Sequence, residues 1–469
     1  MLFNSTSFLL FFFIVFLVYW NILRNKLDLQ NLLLLFSSLV FYSIFSLPYL
    51  GILIVVIFFN YLIASGIHLK KSEHSVRFFY LIGITGNLSL LLYFKYFQFI
   101  LDIFYLKNSV NNILKLGNNV IVPLGISFYI FHAISYLIDL KRGVFYHKYN
   151  IINFSLFFTF FPFLAAGPIE RSNTLLPQFY IRRTFSYEKA SSGLKQFILG
   201  LAKKVVVADS ISVVVDNIFN NYSQFSGITL LIGAIGFSFQ IYADFSGYSD
   251  MAIGMSRLLG FDLTNNFNFP YFSYNLVEFW KRWHISLTNW FRDYLYIPLG
   301  GNKGSIIHRN SNILIVFLLS GLWHGASWNF LFWGFINGIA YIFILNVKKS
   351  FFSNVSLPIK FLNVFITFIF VTLTWIPFRL HNLTDSYNYF ISLTHINFKI
   401  IFNTIPNGIS IFLYIIPIVI FDFFSKYKVY RIDLFEYKSF KHIFYFIISM
   451  LIFFFWGRND FTNFIYFNF

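Results

Sequence analysis

The stretch ILIVFLLSGLWHGASWNFLFWGFINGIAYIFIL, residues Ile313–Leu345, decides the fold. It carries no Asp, Glu, Lys or Arg. It is also longer than the ~20 residues that one bilayer crossing requires. Gly321 and Gly325 punctuate it, so the pattern predicts two elements broken near Gly321–Gly325 rather than one helix. His324 lies between those glycines, with no charge between it and Arg309. An ionisable group at such depth is expensive and is a functional-site candidate by default. A neutral imidazole offers one donor and one acceptor and titrates near ~6.5, so it can move protons at neutral pH. Trp323 and Trp328 flank it and can exclude water. The plainer reading is a histidine bonded to a neighbouring helix.

The rest of the chain repeats the apolar pattern. Of its 469 residues, 58% are hydrophobic and 11% charged, and the mean hydropathy is +0.68. A soluble protein carries roughly 25% charged residues. Further candidate spans are Phe8–Leu23, Asn31–Phe45, Leu50–Ile67, Phe78–Phe97, Val120–Leu140, Gln196–Val215, Gly227–Phe245, Phe361–Pro377, Ile409–Phe424 and Ile443–Trp456. The expected class is an all-α polytopic integral membrane protein with roughly eleven transmembrane helices plus re-entrant and interfacial helices. Phe154–Ala166 is short and ends in Gly167-Pro168, which reads as a re-entrant element. No internal repeat or soluble domain interrupts the chain. It reads as one domain over 1–469, with the motif-bearing core at about 120–345.

Charge gives an orientation. The net charge is +17, but the cations sit in short loops between apolar runs, not on the clustered basic face that a nucleic acid requires. The clusters are Arg24/Lys26, Lys70/Lys71/Arg77, Lys141/Arg142/Lys148, Arg171 through Lys204, Lys281 through Arg309, and Lys348/Lys349. With the N-terminus outside, all fall on the cytoplasmic face, provided that Phe154–Ala166 does not cross. The first residues, MLFNSTSFLLFFFIVFLVYW, lack the basic n-region of a cleaved signal and read as a retained span. The chain has no cysteine, which excludes disulfides, thiolate metal sites and a cysteine nucleophile. No metal site is expected.

A second histidine block, FWKRWHISLTNWFRDYLYIPLGG at Phe279–Gly301, is too charged to span. On a helix, Trp280, Trp283, His284, Leu287, Phe291 and Tyr294 share one face, and Lys281, Arg282 and Ser286 lie off it. That predicts an interfacial amphipathic helix ended by Pro298, Gly300 and Gly301. A third block, FQIYADFSGYSD at Phe239–Asp250, places Asp244 and Tyr248 where they bind a polar ligand or glue helices together. The sequence has no G-x-S-x-G elbow, no P-loop and no H-E-x-x-H. No histidine is followed by aspartate five residues on. A histidine-centred mechanism without a covalent serine or cysteine is what remains.

These residues resemble the membrane-bound O-acyltransferase (MBOAT) family, in its bacterial alginate O-acetylation, AlgI-like branch. The similar stretches are PLGISFYIFHAISYLID at Pro123–Asp139, FFPFLAAGPIER at Phe160–Arg171, GLAKKVVVAD at Gly200–Asp209, QIYADFSGYSDMAIG at Gln240–Gly254 and NFNFPY at Asn266–Tyr271. The two histidine blocks and the terminal FIYFNF at Phe464–Phe469 complete the series. The resemblance implies a tunnel through the membrane, His324 as the catalytic base and His284 as a second histidine of this branch. YIPLGGN, at residues 296–302, favours the alginate-type branch over the teichoic-acid D-alanylation branch. One departure is Trp375-Ile-Pro-Phe-Arg379, where Pro377 is expected to shift a helix end.

What the resemblance implies about chemistry is an acetyl donor, acetyl-CoA or another acetyl thioester, with no permanently bound cofactor. Lys281, Arg282 and Arg292 are candidates for the donor phosphates. Asp244, Tyr248, Trp323 and Asn329 are candidates along the substrate path. The implied partners are membrane lipid, an exported polysaccharide acceptor and an extracytoplasmic acetyltransferase of the SGNH hydrolase type. No nucleic acid is expected. The implied location is the bacterial cytoplasmic (inner) membrane. Two other classes share the membrane signature. A transporter or flippase also uses broken helices, and paired inverted repeats would mark it. A scaffold would tolerate alanine at both histidines.

Overall fold

The computed structural model describes residues 2–69, 72–104, 122–145, 150–347, 356–395, 398–427, 447–452, 454–455 and 464–465. Lys70/Lys71, Lys148 and Lys348/Lys349 lie outside them, as do parts of the Val120–Leu140 and Ile443–Trp456 runs and residues 466–469 of the terminal match. All regular structure among the described residues is helical. The class is that of an all-α polytopic membrane protein. Among the described residues, six helices are long and apolar enough to cross a membrane, and four shorter apolar helices accompany them.

The chain divides into two compact units. The first comprises Met1–Leu194 and Ala252–Thr264. It contains α1 (Thr6–Leu17), α2 (Leu27–Ser43), α3 (Leu47–Leu69), α4 (Glu73–Leu91), α5 (Ile126–Lys141), α6 (Ile151–Thr159) and α7 (Phe161–Leu164). Ser5 caps α1 by accepting from the Phe8 amide at 3.2 Å, which satisfies a helix-end donor. α3 exposes Val55, Phe58 and Leu62. Its buried Asn60 exchanges amide hydrogen bonds with Asn87 of α4 at 2.8 and 3.0 Å. Apolar side chains outward and an amide pair inward is the pattern of helices that associate in lipid. The Phe154–Ala166 run is not one helix: it breaks at Phe160, between α6 and α7.

The second unit comprises Lys195–Met251 and Asn265–Phe469. A helix from Tyr187 to Ala202 (α8) passes through a π-helical turn at Lys203–Ala208 into α9 (Asp209–Asn220). The run Gln196–Val215, expected to span, is helical but is not among the long apolar helices. Lys203, Lys204 and Asp209 lower its hydropathy, and each is ion-paired. α10 (Gly227–Leu258) follows, then the short α11 (Leu276–Arg282) and α12 (Ile285–Phe291).

The Ile313–Leu345 run forms a helical hairpin in this unit, α13 (Ile306–His324) and α14 (Trp328–Asn346). The break falls at Gly325–Ser327, at the edge of the expected region. Two glycines let the helices touch backbone to backbone. A Cβ at Gly321 would lie 2.2 Å from the Phe330 carbonyl oxygen, and one at Gly334 would lie 2.4 Å from that of Phe317. α15 (Leu357–Arg379) contains Pro377 and ends two residues after it. α16 (Leu383–Thr394) and α17 (Phe398–Tyr427) complete the long elements.

Candidate active site

The Phe279–Gly301 block is not the single amphipathic helix that its periodicity predicts. α11 ends at Arg282 and α12 begins at Ile285. His284 between them has φ 43 and ψ 56, a left-handed conformation that is uncommon outside glycine and costs of order 1–3 kcal/mol. The kink is held from a distance in sequence. Ile285 donates its amide to the Asn266 carbonyl at 2.9 Å, and Asn268 donates to the Arg282 carbonyl at 3.0 Å. The Asn266 side-chain oxygen accepts from the Ser286 amide (3.3 Å) and hydroxyl (2.9 Å). It also lies 3.1 Å from His284 Nδ1.

That oxygen only accepts, so Nδ1 carries the His284 proton and the ring's lone pair is on Nε2. Asn266 Nδ2 donates in turn to Ser249 Oγ at 3.2 Å. Burial pushes the His284 imidazole down to about 3, so the ring is neutral at neutral pH. Trp280 and Trp283, on the face expected to be interfacial, are in the core instead. Trp280 packs 5.5 Å from Trp333, and Trp283 packs 5.0 Å from Trp375.

The block lies alongside α13. The Leu299 and Gly301 carbonyls accept from Asn312 near the start of that helix, at 3.1 and 3.3 Å. Trp280 meets Phe317 at 5.6 Å between ring centroids, and His284 meets Trp323 at 5.9 Å near the helix end. Asn312 to Trp323 spans about 16 Å of helix. From His284 to Leu299 the chain therefore travels antiparallel to α13, which raises His284 to the level of His324.

His324 is the last residue of α13 and is 5% exposed. Its ring lies 5.1 Å from Trp323, 5.3 Å from Trp333 and 5.1 Å from Phe378. Both histidines line one cavity of about 340 Å³, together with Lys281, Arg292, Tyr296 and Ser320. Immediately after His324, Gly325, Ala326 and Ser327 line a second cavity of about 590 Å³, which Phe378 also borders. His324 thus lines the first cavity, and the residues directly after it line the second.

The other sequence candidates divide. Lys281 and Arg292 line the first cavity, and Arg292 also pairs with Asp293 at 2.7 Å. Arg282 is outside that lining. It pairs with Glu278 at 2.8 Å and donates to the Asn268 carbonyl at 3.1 Å. Asp244 lines the second cavity, bonded to Lys204 at 2.7 Å and to the Ile465 amide at 2.7 Å. Trp323 packs against both histidine rings. Tyr248 is buried against Phe464 at 4.8 Å and lines neither cavity. Asn329 donates to the Leu380 carbonyl at 2.7 Å and to Ser386 Oγ at 3.3 Å, which fastens the start of α14. Asn266, Lys204, Asp209 and Arg379 carried no role in the sequence reading. For Lys204 and Asp209 the signal was there, as charges inside a largely apolar helix.

A model of the membrane-bound O-acyltransferase family matches residues 139–378, a range that contains both histidines. The chain is 37% identical over 395 residues to a probable alginate O-acetylase of Azotobacter vinelandii, covering 82% of this chain and 76% of that protein. It is 35% identical over 425 residues to a peptidoglycan O-acetyltransferase of Helicobacter pylori, covering 82% and 78%. Similarity to a teichoic acid D-alanyltransferase of Bacillus subtilis is lower, 25% over 233 residues, covering 47% and 58%. A multi-pass helical protein with two buried histidines on one cavity, this chain belongs to the membrane-bound O-acyltransferase family, in its alginate O-acetylase AlgI-like branch, and is an O-acyltransferase.

Proposed function

We propose that the chain is an O-acetyltransferase of the bacterial cytoplasmic membrane. It moves acetyl groups from a cytoplasmic thioester, acetyl-CoA, to a hydroxyl destined for an exported envelope polysaccharide, alginate-like or peptidoglycan. The observation that carries this reading is that His324 lines one cavity with His284 and two cations, while the residues that follow it, Gly325–Ser327, line a second, polar cavity. The similarity to alginate and peptidoglycan O-acetyltransferases supports acetyl as the group transferred. The N-terminus is extracytoplasmic, which puts the basic loops inside. An extracytoplasmic acetyltransferase of the SGNH type takes part in delivery to the polymer.

In this mechanism the donor enters the His284 cavity with its phosphates near Lys281 and Arg292. The imidazole of His324 removes the proton of the acceptor hydroxyl as its oxygen attacks the thioester carbonyl. The tetrahedral intermediate collapses with cleavage of the carbon–sulfur bond. The proton on the imidazolium passes to the leaving sulfur. An ester and a free thiol result, and His324 is restored. Such general-base assistance contributes about 10²–10⁴-fold. His284 stays neutral, and its Nε2 accepts a hydrogen bond that positions the donor.

The test is a mass-spectrometric comparison of envelope glycans from cells with and without this protein. The reading expects O-acetyl esters on an exported glycan that disappear on deletion. An unchanged acetyl content contradicts it.

A further inference from the structure

The cavity beyond Gly325 is charged in a particular way. Lys204 Nζ is shared by Asp209 Oδ1 at 2.8 Å and Asp244 Oδ1 at 2.7 Å, with all three residues buried. Arg379 is held by Asp216 at 2.8 Å. All five line the cavity. Three carboxylates therefore face two cations, and each cation already has a carboxylate partner. An incoming carboxylate meets excess negative charge, and it can reach a cation only by displacing an existing pair.

The same lining suits hydroxyl groups. Carboxylate oxygens accept from hydroxyls, and the amides of Asn220 and Gln240 both donate and accept. The Gln240 side-chain oxygen is buried and has no hydrogen-bond partner among the described residues. A buried acceptor of this kind calls for a donor. Phe330 and Phe378 supply an apolar wall, and the Phe378 ring is 5.1 Å from that of His324. The volume of about 590 Å³ lies in the range of small-ligand sites.

We infer that this cavity is an acceptor subsite for an uncharged sugar residue and that it discriminates against uronates. The inference rests on the O-acetyltransferase reading. Its consequence is that a polyuronate receives acetyl only by relay, not by entering this cavity.

The test uses the full chain in lipid nanodiscs, with saturation-transfer NMR titrations of methyl β-cellobioside and of a mannuronate disaccharide. At ~0.01 M salt the neutral probe is expected to bind about tenfold more tightly. At ~0.5 M salt the preference persists, because buried charges are screened much less than surface ones. Asp216→Asn, which removes one carboxylate at constant shape, narrows the preference to about threefold. Asn220→Asp, which adds one, widens it. Thermal unfolding checks that both variants fold, and either one suffices for the comparison.

Equal binding, tighter binding of the mannuronate, no binding of either probe, or a ratio that neither variant moves overturns the subsite. Glycan acetylation in wild-type cells is measured in parallel. If acetylation is present but the neutral probe does not bind, only the subsite falls. If acetylation is absent while selective binding holds, the transfer reading falls and the sugar subsite stands.

Discussion

His324 and His284 reach the same cavity by opposite routes. His324 ends a regular helix, and its height is fixed by a helical hairpin packed through Gly321 and Gly334. His284 sits in a left-handed kink between two short helices, held by Asn266 from 18 residues upstream. Aromatic rings surround both, but a hydrogen bond donated to an amide oxygen fixes the tautomer of His284. The first histidine is presented by secondary structure, and the second by strain that tertiary contacts sustain. The difference bears on the proposed roles: His324 lines the cavity shared with His284 and directly precedes Gly325–Ser327 of the second cavity, as expected of the proton-moving base, whereas His284 is a locked neutral ring suited to positioning.

The hairpin side of this comparison breaks most severely. Gly321→Val forces a side chain onto the Phe330 carbonyl and is expected to cost about 3 kcal/mol or more. Thermal unfolding and membrane yield would register it. A stable, fully active Gly321→Val protein would mean that the hairpin does not set the height of His324.

On the other side, Asn266→Asp tests the tautomer lock. A carboxylate beside Nδ1 raises the imidazole from its depressed position near 3. As pH falls through the raised value, Nε2 becomes protonated and stops accepting. The variant is expected to lose about tenfold in acetyl transfer below neutral pH and to recover as pH rises. The wild-type protein should show no loss from His284 over that range. A pH–rate profile identical to wild type removes the positioning role.

Smaller effects sharpen the contrast between the cations. Lys281→Ala and Arg292→Ala should each raise KM for acetyl-CoA several-fold with kcat little changed, as expected for lost phosphate contacts. Arg282→Ala, whose guanidinium is engaged by Glu278, should change KM by less than about twofold. The smallest effect concerns the kink itself. His284→Gly should be more stable than His284→Ala by about 1 kcal/mol, because only glycine adopts the left-handed conformation without penalty. Equal unfolding temperatures for the two variants would show that the kink relaxes.

What was legible in the sequence follows the same division. Apolar runs reveal helices because a span must bury its backbone polar groups within itself. The break after His324 was visible in Gly321 and Gly325 for that reason. The kink at His284 was not, since a 3.6-residue periodicity assumes regular dihedrals, and the bonds to Asn266 that override them come from another segment. Arg282 could have been set apart from Lys281, because Glu278 stands four residues before it. Tyr248 read as a path residue from its place beside Asp244, yet its ring turns to Phe464. The pairing of Lys204 with both Asp209 and Asp244 joins charges up to forty residues apart. The sequence showed each as a buried cost without showing its compensation.

The most direct measurement of the central claim is acetyl transfer by the full chain in nanodiscs, wild type against His324→Ala, using acetyl-CoA labelled in the acetyl group. Thermal unfolding verifies that the variant is folded. The expected result is a fall of about 10²–10⁴-fold in rate with donor binding retained. A folded His324→Ala protein that transfers acetyl at the wild-type rate would contradict it.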